Sequence, residues 1–260
     1  MNYQEICARV CEIAREAGEY IAAQRATFSF EDVEYKGVQN MVSYVDRGSE
    51  RRVVERLSAL LPEAGFVTEE GTVRSSVNAR LKWIIDPLDG TTNFIHGLPP
   101  YCVSLALMED NEVVVGVVYE VTLKEMFYAW KGSPAYLNGK EIRVSSTRKL
   151  ENSLVAIGFS YSTHLELDDF MESATYFQRH TNGIRRLGSA AADLVYVACG
   201  RFDAFYHVRL AAWDVAAGAL IAQQAGARVT DFSGGDNYIF GREIIACTPA
   251  VYEEFKDHVR

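Results

Sequence analysis

A chain of 260 residues with 48% hydrophobic and 23% charged positions has the make-up of an ordinary globular protein. It is long enough to bury a large core as one domain or two closely joined lobes. Its formal charge of −9 argues against neutralising a nucleic-acid backbone as the main task, although a local basic patch is compatible with it. No run approaches the roughly 20 apolar residues needed to cross a bilayer, and the N-terminal MNYQEICARVCEIAREAGEY has neither the basic start nor the apolar block of a signal peptide.

That N-terminal segment reads as a helix opened by a capping pair, Asn2 with Glu5, and carrying Ile6, Val10, Ile13, Ala17 and Ile21 on one face. Cys7 and Cys11 share a face of it. With Cys102, Cys199 and Cys247 they make five cysteines without CxxC spacing or a companion histidine, so core packing in a reduced, cytoplasmic protein is expected rather than zinc. Alternating and aromatic residues over 28–44 predict two short strands broken at Lys36-Gly37. A second helix is expected over 46–61, before Pro62 and Gly65. Strands are then expected at 66–67, 81–85, 101–108, 113–120 and 126–130, with a hairpin turn at Asn138-Gly139. Beyond residue 150 helices (167–180, 188–199, 213–225, 249–258) alternate with strands (152–158, 203–206, 227–231, 243–247). Layered α and β structure is expected, with a boundary near 145–150 between an N-terminal lobe, 1–148, and a C-terminal lobe, 149–260.

The most informative segment is Trp83-Ile84-Ile85-Asp86-Pro87-Leu88-Asp89-Gly90-Thr91-Thr92-Asn93. An apolar strand leads into Asp86, and Pro87, lacking an N–H, is expected to stop the ladder there. Gly90 lets the chain turn, so two carboxylates sit at a strand end beside a hydroxyl-rich turn suited to an anion. A turn with solvated aspartates is the plainer alternative. Glu69-Glu70 follows a short strand in the same way, or is simply an acidic loop. Asp214 heads the nearly uncharged segment Trp213-Asp214-Val215-Ala216-Ala217-Gly218, either as a helix cap or as an acid that needs a cation. Converging carboxylates suit magnesium, which takes one or two of them together with phosphate and water, and two such ions can clamp a phosphoryl group. No EF-hand spacing points to calcium.

Asp86-Pro87-Leu88-Asp89-Gly90-Thr91-Thr92-Asn93-Phe94 closely resembles the signature of the inositol monophosphatase family, and the Trp213–Gly218 segment, with Ala225-Gly226-Ala227 after it, resembles that family's second signature. The order of elements agrees over nearly the whole chain. The resemblance implies an α+β fold, the layered αβαβα sandwich of the inositol monophosphatase and sugar phosphatase type. It implies two to three magnesium ions held by Glu69, Asp86, Asp89, Asp214 and the Leu88 carbonyl, with Glu70 behind them. It implies phosphate contacts from Gly90 and Thr91, water activation by Thr91 and Glu69 with Asp46 as the partner of Thr91, and Lys36 on a mobile loop. Homodimers and lithium sensitivity belong to the same expectation.

For the substrate, the resemblance points to Arg185-Arg186-Leu187-Gly188-Ser189-Ala190, with Arg185, Ser189 and Ala190 lining the pocket and Gly158-Phe159-Ser160 bordering it. His207 stands where inositol-hydrolysing relatives carry a glutamate, which changes the hydrogen bonds on offer. The expected activity is hydrolysis of a small phosphate monoester, inositol monophosphate or a related polyol or sugar phosphate. Relatives cleaving 3′-phosphoadenosine 5′-phosphate typically carry a lysine and an acid after Gly-Thr, where this chain has Thr92-Asn93; histidinol phosphate stays open. A different class is a regulatory protein that binds the transcription apparatus or RNA, as one bacterial family member does. The chain's acidity and lack of a basic stretch speak against RNA.

Overall fold

In the computed structural model, helix α1 (Tyr3–Arg25) starts at its expected cap: the Asn2 side chain accepts the Glu5 N–H at 3.2 Å, and the stripe from Ile6 to Ile21 is buried. The structure describes residues 1–37, 40–159 and 167–260, with backbone alone at 35–37, 40–41 and 167. Strands β1 (Val33–Gly37) and β2 (Asn40–Ser43) form an antiparallel pair. Helix α2 (Tyr44–Leu60) begins earlier than its apolar pattern suggests, because Ser43 and Asp46 cap it reciprocally.

The next strands are β3 (Gly65–Thr68), β4 (Leu81–Asp89), β5 (Cys102–Glu109), β6 (Glu112–Glu120), β7 (Glu125–Trp130), β8 (Ala135–Leu137) and β9 (Lys140–Ile142), hydrogen-bonded in that order as one seven-stranded sheet. Only β3 and β4 run parallel. A short helix α3 (Thr91–His96) links β4 to β5. Asn138 and Gly139 form the two-residue turn between β8 and β9, both with positive φ. The second half alternates: β10 (Leu154–Phe159), α4 (Leu167–His180), β11 (Gly183–Arg185), α5 (Ala190–Ala198), β12 (Ala204–Val208), α6 (Ala212–Gln224), β13 (Arg228–Thr230), β14 (Glu243–Cys247) and α7 (Tyr252–Lys256). Its strands form a five-stranded sheet in the order β11-β10-β12-β14-β13.

Three apolar clusters define the layers. α1 and α2 pack on one face of the seven-stranded sheet through Val10, Val53, Leu57, Trp83 and Leu105. Helices α5 and α6 fill the space between the two sheets, touching Ala106, Val118 and Phe127 on one side and Phe205 and Ala246 on the other. α4 and α7 cover the far face through Phe170, Phe177 and Phe255. The result is the layered αβαβα sandwich. The middle layer is thin because its helices are built of small residues. At Gly116 on β6, a Cβ would lie 2.7 Å from the Ala217 carbonyl of α6, so the sheet and that helix meet backbone to backbone.

One expectation fails in an instructive way. The ladder does not stop at Pro87: β4 continues to Asp89, with Asp86 opposite Ser104 and Asp89 opposite Cys102. Three steps on β4 match two on β5, which is a bulge. Side chains three apart on a regular strand face opposite ways, and the extra residue resets the alternation so that both carboxylates face the same side.

Candidate metal centre

The bulge delivers Asp86 and Asp89 to one spot, and the start of α6 delivers Asp214 to it. One carboxylate oxygen from each lies within 4.8 Å of the others. Each is held from behind. Asp86 Oδ1 accepts the Leu88 N–H at 3.0 Å. Asp89 Oδ2 accepts the Ser189 hydroxyl at 2.6 Å and the Ala191 N–H at 2.7 Å, both at the N-terminus of α5. Asp214 Oδ2 accepts the Ala211 N–H at 2.6 Å, and Ser104, facing Asp86 across the ladder, donates to the Trp213 carbonyl at 3.3 Å.

Gathering like charges away from water shifts their protonation. Burial raises Asp86 well above the usual carboxylate range, and Glu69, Asp89 and Asp214 reinforce the shift. Burial raises Asp89 to about 6, against the hydrogen bonds from Ser189, Ala191 and Gly90. Burial and the charge of Asp89 raise Asp214 to about 7, while the Ala211 N–H, Asp86 and Arg242 act the other way. Glu69 is half-buried and acts on Asp86 directly.

Beside this cluster, Thr91 donates its hydroxyl to Asp46 Oδ1 (2.8 Å) and lies 3.1 Å from the Leu88 carbonyl. Asp46 is buried and raised by that burial, and its Oδ2 accepts the Ser43 N–H and hydroxyl. Gly90 turns the chain at φ 94°, where a Cβ would sit 3.0 Å from the Pro100 carbonyl. The Lys36 side chain and Ser160 fall outside the described residues.

The substrate-side residues separate. Ser189 is buried and bonded to Asp89, and Ala190 is buried as the first residue of α5. Arg185 is exposed and donates to the Ile184 carbonyl at 2.9 Å. Arg186 lies over the Phe159 ring, 4.7 Å from its centroid. His207 is half-buried on β12, its Nδ1 2.7 Å from the Val208 carbonyl and its ring packed on Gly158. Burial, helped by the charge of Arg186, lowers it to about 3, so the ring is neutral near pH 7.

Several residues escaped the sequence reading. Glu50 is fully buried and accepts the Glu70 N–H (2.8 Å), the Thr72 N–H (2.7 Å) and the Thr72 hydroxyl (2.7 Å), clamping the turn that carries Glu69. Ser49 ties α2 to the Pro87 carbonyl at 3.0 Å. The signal was present: Asp46 and Glu50 fall on the same stripe of α2 as Val53 and Leu57, polar residues on a core face. Asn93 joins α3 to the second half of the chain by donating to the carbonyls of Pro100 (2.8 Å) and Leu187 (2.7 Å). Asp193, one turn into α5, is 2% exposed, and its Oδ1 has no hydrogen-bond partner among the described residues.

The sequence model of the inositol monophosphatase family matches residues 2–260. The chain is 36% identical over 247 residues to the Nus factor SuhB of Vibrio cholerae, covering 95% of this chain and 92% of that protein. Among solved structures it is similar to the extragenic suppressor protein suhB of Bartonella henselae, with a TM-score of 0.92, 34% identity and 98% of each chain covered. It is also similar to an inositol monophosphatase of Thermotoga maritima, with a TM-score of 0.88 and 35% identity, covering 100% of this chain and 97% of that one.

Proposed function

The chain belongs to the inositol monophosphatase family, and we propose on that basis that it is a magnesium-dependent phosphatase acting on a small phosphate monoester, inositol monophosphate or a related polyol or sugar phosphate. The observation that carries the reading is the convergence of Asp86, Asp89 and Asp214 within 4.8 Å. Three carboxylates at that separation, two buried and the third half-buried, repel one another unless protonated or neutralised by a cation. The donors are all oxygen, which suits a hard divalent ion. Asp86, Asp89 and Asp214, with Glu69 and the Leu88 carbonyl, would hold magnesium. When bound, it supplies positive charge to the phosphoryl oxygens and lowers the pKa of adjacent water.

The protein's own groups do the rest. The Gly90-Thr91 turn receives the phosphate. The Thr91 hydroxyl, donating to buried Asp46, keeps lone pairs with which to orient a water by accepting a hydrogen bond from it. The Ser189 hydroxyl and the Ala191 N–H both bond Asp89 Oδ2 and fix the carboxylate that would serve as a ligand. Phosphate release should depend on magnesium across a panel that includes inositol 1-phosphate, 3′-phosphoadenosine 5′-phosphate and histidinol phosphate. Asp89→Asn should lower turnover by roughly a hundredfold or more while the protein stays folded. Near-normal turnover of that variant at saturating magnesium would defeat the reading, and a strong preference for the nucleotide would reassign the substrate.

A second reading is favoured by the Nus factor name of the Vibrio cholerae relative, which this chain matches along 95% of its length. The protein would then also contact the transcription apparatus, a role compatible with hydrolysis. Capture of RNA polymerase that survives high salt supports it, and capture lost at moderate salt removes it.

A further inference from the structure

A second group of ligand-type side chains lies where α1 crosses β7, on the face of the seven-stranded sheet that α1 and α2 cover. Cys7 and Cys11 stand one turn apart on α1, Cys7 only 1% exposed and Cys11 half-buried. The two thiols act on each other directly: Cys11, ahead of burial, is the first cause of the upward shift of the Cys7 thiol. Cys7 also reaches β7, donating to the Ala129 carbonyl at 3.8 Å.

Packing alone does not account for the pair, because Cys11 opens into a cavity of about 540 Å³ between α1 and β7. Met126, Tyr128 and Trp130 alternate along β7 and so share the face that lines this cavity. Arg15, one turn beyond Cys11, lines it from α1. Burial raises the Tyr128 phenol, and Cys11 and then Cys7 add to the shift, so both sulfurs lie within electrostatic reach of the aromatic wall. Tyr136 braces that wall, stacked on Tyr128 at 5.2 Å and on Trp130 at 5.8 Å.

This donor set is selective. The acidic triad is the sole cluster of three His, Cys or carboxylate ligands among the described residues, so the thiol pair lacks the partners for a tetrahedral zinc shell. Thiols and a thioether are soft donors, which favour monovalent copper. Two metal–sulfur bonds of about 2.3 Å span about 4.6 Å, a distance that side chains four apart on a helix can meet.

We propose that Cys7 and Cys11 form a site for a soft monovalent cation of the copper(I) type, held as a two-coordinate bis-thiolate with the Met126 thioether on the cavity wall as a third donor. Each sulfur gives its proton to water as its bond to the metal forms, Cu⁺ + 2 RSH → [Cu(SR)₂]⁻ + 2 H⁺, and no electron is transferred. The complex carries one negative charge, which the Arg15 guanidinium on the same cavity offsets. The cavity gives the ion its way in to Cys11.

The test titrates the whole protein with copper(I), anaerobically and with a thiol-free reductant, in competition with the chromophoric chelator bicinchoninate. Excess magnesium is present throughout to compete for the carboxylates. Wild type should withdraw one equivalent of copper from the chelator. Cys11→Ser, a small change at a half-buried position, should weaken capture by about a hundredfold or more, exceeding the usual cost of losing a group that merely supports a metal ligand. Cys199→Ser, which removes a thiol outside the cavity, should leave capture unchanged. No withdrawal by wild type, or equal capture by Cys11→Ser, overturns the proposal. Copper X-ray absorption on the wild-type complex decides without any substitution. A shell of two or three sulfurs supports the site, and a shell of oxygen or nitrogen overturns it.

Discussion

Asp193 is an acid on a helix face that is otherwise apolar. Ala190, Ala191, Ala192, Leu194 and Val195 around it are all buried, and one of its oxygens has no hydrogen-bond partner among the described residues. Burial and the charge of Asp89 push its carboxyl well above the usual range, with Arg186 acting in the opposite sense. The consequence for stability has a definite sign. Below about pH 4 the acid is protonated in both folded and unfolded chains, and its contribution is intact. As pH rises, the unfolded chain releases its proton first, so stability is lost until the folded pKa is passed. Asp193→Asn removes that loss. In metal-free buffer its melting temperature should exceed that of wild type by a margin that widens from pH 5 to pH 8, at roughly 2–4 °C per kcal/mol for a chain of this size. A margin that stays flat or shrinks would mean that a partner in solution stabilises the ionised form.

At the scale of elements, the site depends on one irregular piece of chain, the bulge at 86–89 with the Gly90 turn after it. Gly90→Ala would place a Cβ 3.0 Å from the Pro100 carbonyl and 3.3 Å from the Tyr101 backbone, at a φ of 94° that alanine resists. We expect a stability loss of about 1–3 kcal/mol and a larger loss of phosphate release, because Asp89 moves with the turn. Urea denaturation and turnover measured on one preparation check this, and unchanged activity would detach the turn from the chemistry.

This is also where the sequence was legible and where it was not. Helices announced themselves by periodicity and caps: Asn2 and the Ile6–Ile21 stripe, or the Asn138-Gly139 turn, could be read from local chemistry alone. Asp86 and Asp89 drew attention because they lie at a strand end before a glycine turn, and Asp214 because it heads a nearly uncharged helix. The bulge did not, since Pro87 read as a stop; its missing N–H is harmless where the ladder is already irregular. Glu50 was marked only as a polar residue on the core-facing stripe of α2; what it clamps, the Glu70 and Thr72 N–H groups, lies across the fold and could not be read from that stripe.

For the whole molecule, the carboxylate cluster is a joint between two halves of the chain. Asp86 and Asp89 come from the seven-stranded sheet, whereas Asp214 heads a helix of the layer between the sheets. A divalent cation there would bond the layers together, and its absence leaves mutual repulsion. With Asp89 raised to about 6 and Asp214 to about 7, the metal-free fold holds protons that the unfolded chain has released. Their contribution to stability is therefore present below about pH 4 and is lost as pH rises through about 6 to 7. Magnesium competes with those same protons, so its effect runs the other way, strong where the acids are ionised and weak where they are protonated. At a hundredfold excess over its dissociation constant a ligand adds about 2.7 kcal/mol, which for this size of chain is roughly 5–10 °C. We therefore expect magnesium to raise the melting temperature by that order at pH 8, progressively less on descent through pH 7 and 6, and hardly at all near pH 5. Asp214→Asn should abolish most of the gain at pH 8 while itself melting higher than wild type without metal, because it removes one of the repelling charges. Calorimetric scans of both proteins, with and without magnesium at each pH, provide the measurement. A gain equal at pH 5 and pH 8, or one preserved in the variant, would place the ion somewhere other than between the sheets.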